Sequence, residues 1–165
     1  MKLPEMSKAI SNTSSLITLS KMGRLKILRD IYDEVIIPDA VLKEIKAKSD
    51  FVSQDVVNNL DWLKVIETPD IDCNKFPSIL HSGEIATIML AQTLSIDIVI
   101  IDDKPAKKTA KLFGLPVTGT LGVFLEAKRQ NVIEEIAPLI ALMRELNIYL
   151  SDAVVEMALR QAGES

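Results

Sequence analysis

The segment Ile-Val-Ile-Ile-Asp-Asp at residues 98–103 decides the fold of this chain. Four consecutive β-branched apolar residues predict a strand that is buried on both faces, as in the middle of a parallel sheet. Asp97 and Asp102 bound this run, so it is far too short to cross a membrane. A strand of this kind requires helices on both faces of its sheet.

Strand-like runs and helical patterns alternate along the rest of the chain. The predicted strands are residues 9–11, 35–37, 63–66, 98–101 and 115–117, and the clearest predicted helices are residues 82–94, 104–113, 120–129, 133–146 and 151–161. Ser82 is predicted to cap its helix, Pro38 to be the first residue of another, and Pro138 to kink its helix or delay its start. The alternation predicts an α/β fold with a mainly parallel sheet, in one domain that spans residues 1–165.

Composition restricts the class of protein. The 165 residues are 48% hydrophobic and 25% charged, which is typical of a folded domain and not of a disordered chain. Cys73 is the only cysteine, so neither an intrachain disulfide nor a cysteine-rich zinc site is possible. The net charge of -4 argues against binding duplex nucleic acid through bulk charge, and one Trp, two Tyr and four Phe leave little material for base stacking. Without a signal or membrane segment, we expect a cytoplasmic protein.

Polar residues follow the predicted strands and begin the predicted helices. They are Asn12, Glu44, Glu84, Asp102 and Asp103. Each has an ordinary explanation, since aspartate caps helices, glutamate in a first turn complements the helix dipole, and helix surfaces carry glutamate. Together they fall on elements that an α/β topology brings to one edge of the sheet. Oxygen ligands without a cysteine pair favour Mg²⁺ or Mn²⁺ over zinc, and such a cation suits phosphodiester chemistry.

Four lysines recur at helical spacing directly after the Asp-Asp step. They are Lys104, Lys107, Lys108 and Lys111. A basic helix face beside an acidic pocket is suited to gripping the phosphate backbone of a nucleic acid. The alternative is a solvated helix face with no ligand, which is the usual meaning of a run of charges.

Several short motifs of this chain resemble those of PIN (PilT N-terminus) domains. Ile-Ser-Asn-Thr-Ser-Ser-Leu-Ile at residues 10–17 resembles the family's opening motif, an aspartate followed by Thr or Ser and a helical Leu-Ile. Residues 35–45 and 82–86 resemble the segments that carry the family's two helical acidic positions. Residues 100–103 and 114–122 resemble a prokaryotic subgroup of PIN-domain nucleic-acid-binding proteins.

The resemblance implies a three-layer α/β/α sandwich and Mg²⁺- or Mn²⁺-dependent ribonuclease chemistry. On the matching positions, Glu44, Glu84 and Asp102 would hold the cation, with Asn12 and Asp103 assisting. It further implies a VapC-like role as the toxin of a toxin–antitoxin pair, with single-stranded or structured RNA as substrate. A small antitoxin protein and a second copy of the chain are the partners that it implies.

The sequence departs from the family pattern at two positions. Asn12 stands at the first acidic position, and its amide brings no negative charge to a cation. Lys107 stands where the subgroup more often has arginine, so a point charge replaces a planar fork. We therefore expect weak metal affinity and low or absent nuclease activity. Two alternatives remain open: an inactive PIN-like module that binds RNA or a protein partner, and a receiver-like phosphoacceptor domain.

Overall fold

A computed structural model describes residues 7–48, 50–70 and 72–165 of the chain, and its centre is a parallel β-sheet. The strands of the described residues are β1 (Lys8–Ser11), β2 (Glu34–Pro38), β3 (Leu63–Ile66), β4 (Ile98–Ile100) and β5 (Val117–Thr118). They lie in the order β3-β2-β1-β4-β5, and all four neighbouring pairs are parallel. The predicted α/β fold with a mainly parallel sheet is confirmed.

Helices cover both faces of the sheet. In the described residues they are α1 (Thr13–Lys21), α2 (Ile27–Ile31), α3 (Asp39–Lys46), α4 (Phe51–Asn58), α5 (Ser82–Thr93), α6 (Lys104–Leu112), α7 (Thr120–Arg129), α8 (Ala137–Glu145) and α9 (Asp152–Gln161). Alternate residues of β1 point to opposite faces: Ala9 packs into one apolar core and Ile10 into another. The second core is closed by α5 and α6, and the first by the remaining helices. The result is the expected three-layer α/β/α sandwich.

Three local predictions need correction. His81, and not Ser82, is the N-cap of α5, because the Glu84 side chain reaches back to the His81 backbone N–H and completes a capping box. Pro38 is the N-cap of α3 and the last residue of β2, since its extended backbone continues the strand. The helix predicted at residues 133–146 begins only at Ala137, so of the two effects predicted for Pro138 the late start is observed.

The strand order places one crevice at the centre of the sheet. The chain runs outward from β1 through β2 and β3 on one side, and through β4 and β5 on the other, so the direction of winding reverses between β1 and β4. In open parallel sheets ligands bind at such a reversal, beyond the carboxyl ends of the strands. Receiver domains have the order 2-1-3-4-5 instead. The receiver-like alternative is therefore wrong for this chain.

No helix in the described ranges is long and apolar enough to cross a bilayer.

Candidate functional site

Asn12 lies at the centre of the crevice, directly after β1. Its backbone N–H donates to the Ile100 carbonyl at 3.2 Å, which ties the ends of β1 and β4 together. The side chain is 1% exposed, and its Oδ1 accepts from the Ser15 N–H at 3.2 Å as the N-cap of α1. Its Nδ2 lies 3.2 Å from the Ser14 hydroxyl. The amide oxygen is therefore already used by the helix that it begins.

Glu44 projects from α3 to the first turn of α5. Its Oε1 accepts from the Gly83 N–H at 2.8 Å and from the Ser82 hydroxyl at 3.4 Å, while Oε2 accepts from the Thr13 hydroxyl at 2.6 Å. A negative charge is favourable at this end of α5, where unpaired backbone N–H groups point outward. A single carboxylate thus fixes α1, α3 and α5 relative to one another.

Glu84 and Asp103 face each other across the crevice. Glu84 is the third residue of α5, and its Oε2 is buried without a hydrogen-bond partner in the described structure. Burial, together with the facing Asp103 carboxylate, raises the pKa of Glu84 above its ordinary value. Asp103 is the N-cap of α6, and its Oδ2 accepts from the Ala106 N–H at 3.0 Å. Asp103 is exposed and Glu84 is partly buried, so a shared proton or a cation would relieve the repulsion between them.

Asp102 is held by neutral donors from two helices. The Thr120 N–H and hydroxyl donate to it at 2.8 and 2.6 Å, and the Ser15 hydroxyl donates at 3.0 Å. A Cβ atom on Gly119 would lie 2.7 Å from Asp102 Oδ1 and 2.9 Å from Lys107 Nζ. A side chain at residue 119 would require the Asp102 carboxylate or the Lys107 ammonium group to move. Lys107 therefore turns into the crevice beside Asp102.

The other three predicted basic residues lie outside the crevice on α6. Lys104, Lys108 and Lys111 are exposed, whereas the opposite face of α6 is buried through Ala106 and Ala110. None of the four lysines of this helix forms an ion pair with a described residue. The positive charge of the helix is consequently available to a ligand.

The predicted site residues share one end of the sheet but do not form a single cluster. Among the residues that the structure describes, no three His, Cys, Asp or Glu side chains converge to hold a metal ion. Glu44 and Asp102 are engaged by protein donors, and Asn12 caps α1. The pair Glu84–Asp103 fits a hard cation best, because its oxygens are of the right kind and Glu84 Oε2 has no partner.

Comparison with known proteins identifies the family. A family model described as a PIN domain (DUF3368) matches residues 8–164. The chain belongs to this PIN domain family. The match covers almost the whole chain and confirms the resemblance to PIN domains, and a nuclease-like fold follows from it.

Solved structures and curated proteins were also compared with this PIN domain, and neither comparison assigns it an activity. The solved structures similar to it include a domain of a functionally unknown protein from Methanocaldococcus jannaschii DSM 2661. The two chains are 17% identical with a TM-score of 0.45, and the similarity covers 68% of this chain and 90% of that one. No protein with a curated description is similar to this chain.

Sequence reasoning missed the neutral residues that organise the crevice. Hydroxyl groups donate hydrogen bonds to Glu44 from Thr13 and to Asp102 from Ser15 and Thr120. The backbone N–H of Gly83 also donates to Glu44. The hydroxyl residues stand directly after β1 and β5, so their positions after a strand were the available signal. Which carboxylate each of them meets depends on the tertiary structure.

Proposed function

We propose that this PIN domain is a metal-dependent ribonuclease, weakened by Asn12, and that it acts as the VapC-like toxin of a toxin–antitoxin pair. Mg²⁺ or Mn²⁺ is the cation, and RNA, single-stranded or structured, is the substrate. The observation that best supports this proposal is the facing pair of Glu84 and Asp103, in which the buried Glu84 Oε2 lacks a hydrogen-bond partner. Each carboxylate accepts from one backbone N–H, but Glu84 Oε2 has no donor, so a cation between the two groups would be favourable.

The two carboxylates are the residues that would hold the cation, with Glu44 and Asp102 supplying negative charge around it. When bound, a divalent ion polarises a phosphodiester and favours ionisation of a water molecule. Without three carboxylates in direct convergence, the affinity of the apo site is low. Asn12 contributes to this weakness, because its amide is neutral and its oxygen is committed to the helix cap.

The residues around Glu84 and Asp103 would bind the RNA substrate. A cleft of about 410 Å³ runs beside Glu44 between α3 and the segment after β3, lined among others by Lys43, Thr68 and Ser82. On the other side, Lys107 points into the crevice and the remaining lysines of α6 stand outside it. An RNA strand laid across the crevice would have its phosphates near these ammonium groups. The protein would then recognise mainly the sugar–phosphate backbone of the RNA.

Cleavage of a mixed-sequence single-stranded RNA over a Mn²⁺ titration tests the proposal. We expect slow cleavage by the wild type. Asn12→Asp adds a negative charge at the carboxyl end of β1, at the same end of the sheet as the pair, so it should reach half its maximal rate at roughly tenfold lower Mn²⁺, which corresponds to about 1.4 kcal/mol. Glu84→Gln should remove cleavage.

Asn58→Asp is the matched control, since Asn58 is an exposed residue at the end of α4. It adds the same charge away from the crevice and should leave the titration unchanged. If the wild type cleaves as well as Asn12→Asp at limiting Mn²⁺, Asn12 does not weaken the site. If neither protein cleaves at saturating Mn²⁺, the ribonuclease proposal fails.

A second candidate function is binding without catalysis. The satisfied hydrogen bonds of Glu44 and Asp102 favour it, because a carboxylate with several neutral donors needs no cation. RNA or a protein partner would then be held without turnover. Binding of RNA by the wild type with no cleavage by Asn12→Asp at any Mn²⁺ concentration would support this candidate over the ribonuclease.

Purification of the protein from its own host tests the proposed toxin role and the proposed homodimer. We expect a small antitoxin protein to co-purify with the chain from its own host, and the isolated chain to sediment as a dimer. Recovery of the chain alone, as a monomer, would contradict both parts of the proposal.

A further inference from the structure

A second cavity lies away from the candidate nuclease site. It has a volume of about 360 Å³, within the range of small-molecule sites. Ser7 and Asp97, which precede β1 and β4, line it, whereas the nuclease site lies beyond the carboxyl ends of these strands. Tyr32 and Glu126 line it as well. Its polar groups have no part in the proposed ribonuclease chemistry.

The Tyr32 hydroxyl is the unexplained group in this cavity. The residue is 6% exposed, and its hydroxyl forms no hydrogen bond with a described residue. The oxygen is not among the fully buried atoms that lack a partner, so it keeps some accessible surface, and Tyr32 lines the cavity. Burial and the neighbouring Glu126 carboxylate raise the pKa of Tyr32, which keeps the group a neutral O–H. A phenol held in this way can both donate to a ligand and accept from it.

The charge of the lining indicates which ligand fits. Asp97 uses one carboxylate oxygen, Oδ2, to accept from the Lys8 N–H at 2.7 Å, and its other oxygen has no described donor. Glu126 is paired with Arg129, which does not line the cavity. No described lining residue is a lysine, arginine or histidine. The described lining therefore offers the exposed Asp97 carboxylate, which has no described cationic partner, with hydroxyl groups around it. Such a lining disfavours an anion and favours a cation that donates hydrogen bonds.

We propose that this cavity binds a small organic cation with an alkylamine or alkylguanidine group. The cationic head meets Asp97 and donates to the hydroxyl oxygens of Tyr32 and Ser7, while the alkyl stem lies against Ile98. Binding here is independent of the ribonuclease proposal, because no residue of the cavity belongs to the Glu84–Asp103 pair.

Calorimetric titration of the full chain with agmatine and with putrescine tests the proposal. We expect saturable binding of one equivalent of at least one of these cations. The uncharged analogue 1,4-butanediol, which has a similar stem, should not bind. Saturation by neither cation up to about 10 mM, or equal binding of 1,4-butanediol, would overturn the proposal.

Two variants locate the site. Tyr32→Phe removes only the hydroxyl and should weaken binding by about 3- to 10-fold, the range for one hydrogen bond. Tyr149→Phe is the matched control, because Tyr149 is 86% exposed on the surface, and it should bind as the wild type does. Asp97→Asn keeps an acceptor for Lys8 but loses the charge, so it should weaken binding at least as much. Unchanged affinity in Tyr32→Phe would place the bound cation elsewhere and contradict the assignment, even if Asp97→Asn failed to fold.

Discussion

At the scale of single residues, Gly83 determines where Glu44 can lie. A Cβ atom at this position would stand 2.5 Å from Glu44 Oε1 and 2.9 Å from its carboxyl carbon. The carboxylate could then no longer accept from the backbone N–H of residue 83, which it now meets at 2.8 Å. The absence of a side chain thus joins α3 to α5 at the edge of the crevice.

Gly83→Ala should destabilise the protein by about 1–3 kcal/mol, because the Glu44 carboxylate must move. In a Glu44→Ala background the same substitution meets no carboxylate, and alanine is the better helix former. There we expect it to be neutral or to stabilise by up to about 1 kcal/mol. Urea unfolding of the four proteins measures this coupling. The same loss of stability in both backgrounds would show that Glu44 is not what excludes a side chain at residue 83.

The carboxylates of the candidate site could be proposed from the sequence, but their separate hydrogen-bonding roles could not. Glu84 and Asp103 stand where helix and strand patterns place them, at the starts of α5 and α6. Asp102 differs from Asp103 in accepting from the hydroxyl groups of Ser15 and Thr120, which are 87 and 18 residues away in the chain. A contact of this range is set by packing, so no local pattern could reveal it.

At the scale of elements, Glu164 connects the last two helices. Its carboxylate accepts from the N–H groups of Ile136 and Ala137 at 2.8 and 3.0 Å, and Lys128 Nζ lies 2.9 Å from it. Although burial raises the pKa of Glu164, these donors outweigh it and hold the pKa below its ordinary value. Glu164, the third residue after α9, therefore caps the start of α8.

Glu164→Gln should destabilise the protein at pH 7 by about 1–3 kcal/mol, because a charged acceptor at a helix start is lost. Since the folded-state pKa lies below that of the unfolded chain, this stabilisation is complete above the unfolded pKa. It disappears as the pH falls through the folded value, so the difference between wild type and variant should vanish in acid. Thermal unfolding between pH 7 and about pH 3 measures it. Glu156→Gln, on the exposed face of α9, is the control, and an equal effect of both substitutions would contradict the cap.

Strands and later helices could be predicted, but one helix could not. The apolar runs of β2 and β4 are short, continuous and made of β-branched residues, and these features predict buried strands. Helix α4 (Phe51–Asn58) was missed because it begins with an exposed Phe51 and buries only Val52 and Val56. Its position is fixed by packing against α1, including the bond from the Ser20 hydroxyl to Asp55 at 2.6 Å. Tertiary contact, not local preference, decides such an element.

At the scale of the whole molecule, the net charge of -4 is the sum over regions of opposite charge, one acidic and one basic. The carboxylates of the crevice lie beside the lysines of α6, which have no ion-pair partners among the described residues. Bulk charge still argues against a broad binder of duplex nucleic acid. The net charge does not argue against the binding of a single RNA strand along the basic helix α6.

Replacing the four lysines of α6 by glutamine should weaken RNA binding and flatten its dependence on salt. Each phosphate contact that is lost reduces the slope of log K against log salt by about 0.7 for a single strand. Fluorescence anisotropy over a salt series measures this slope for Lys104→Gln, Lys107→Gln, Lys108→Gln and Lys111→Gln, singly and combined. Lys26→Gln, an exposed residue that precedes α2, is the control. An unchanged slope in the combined variant would mean that α6 does not contact RNA.

Titration of the apo protein with Mn²⁺, with free ion followed by electron paramagnetic resonance, tests the central claim most directly. The facing pair predicts one saturable site, weakened at least about tenfold by Glu84→Gln and by Asp103→Asn. Glu145→Gln, exposed on α8, should bind as the wild type does. No saturable Mn²⁺ binding by the wild type, or equal binding by Glu84→Gln, would contradict a metal centre at these two carboxylates.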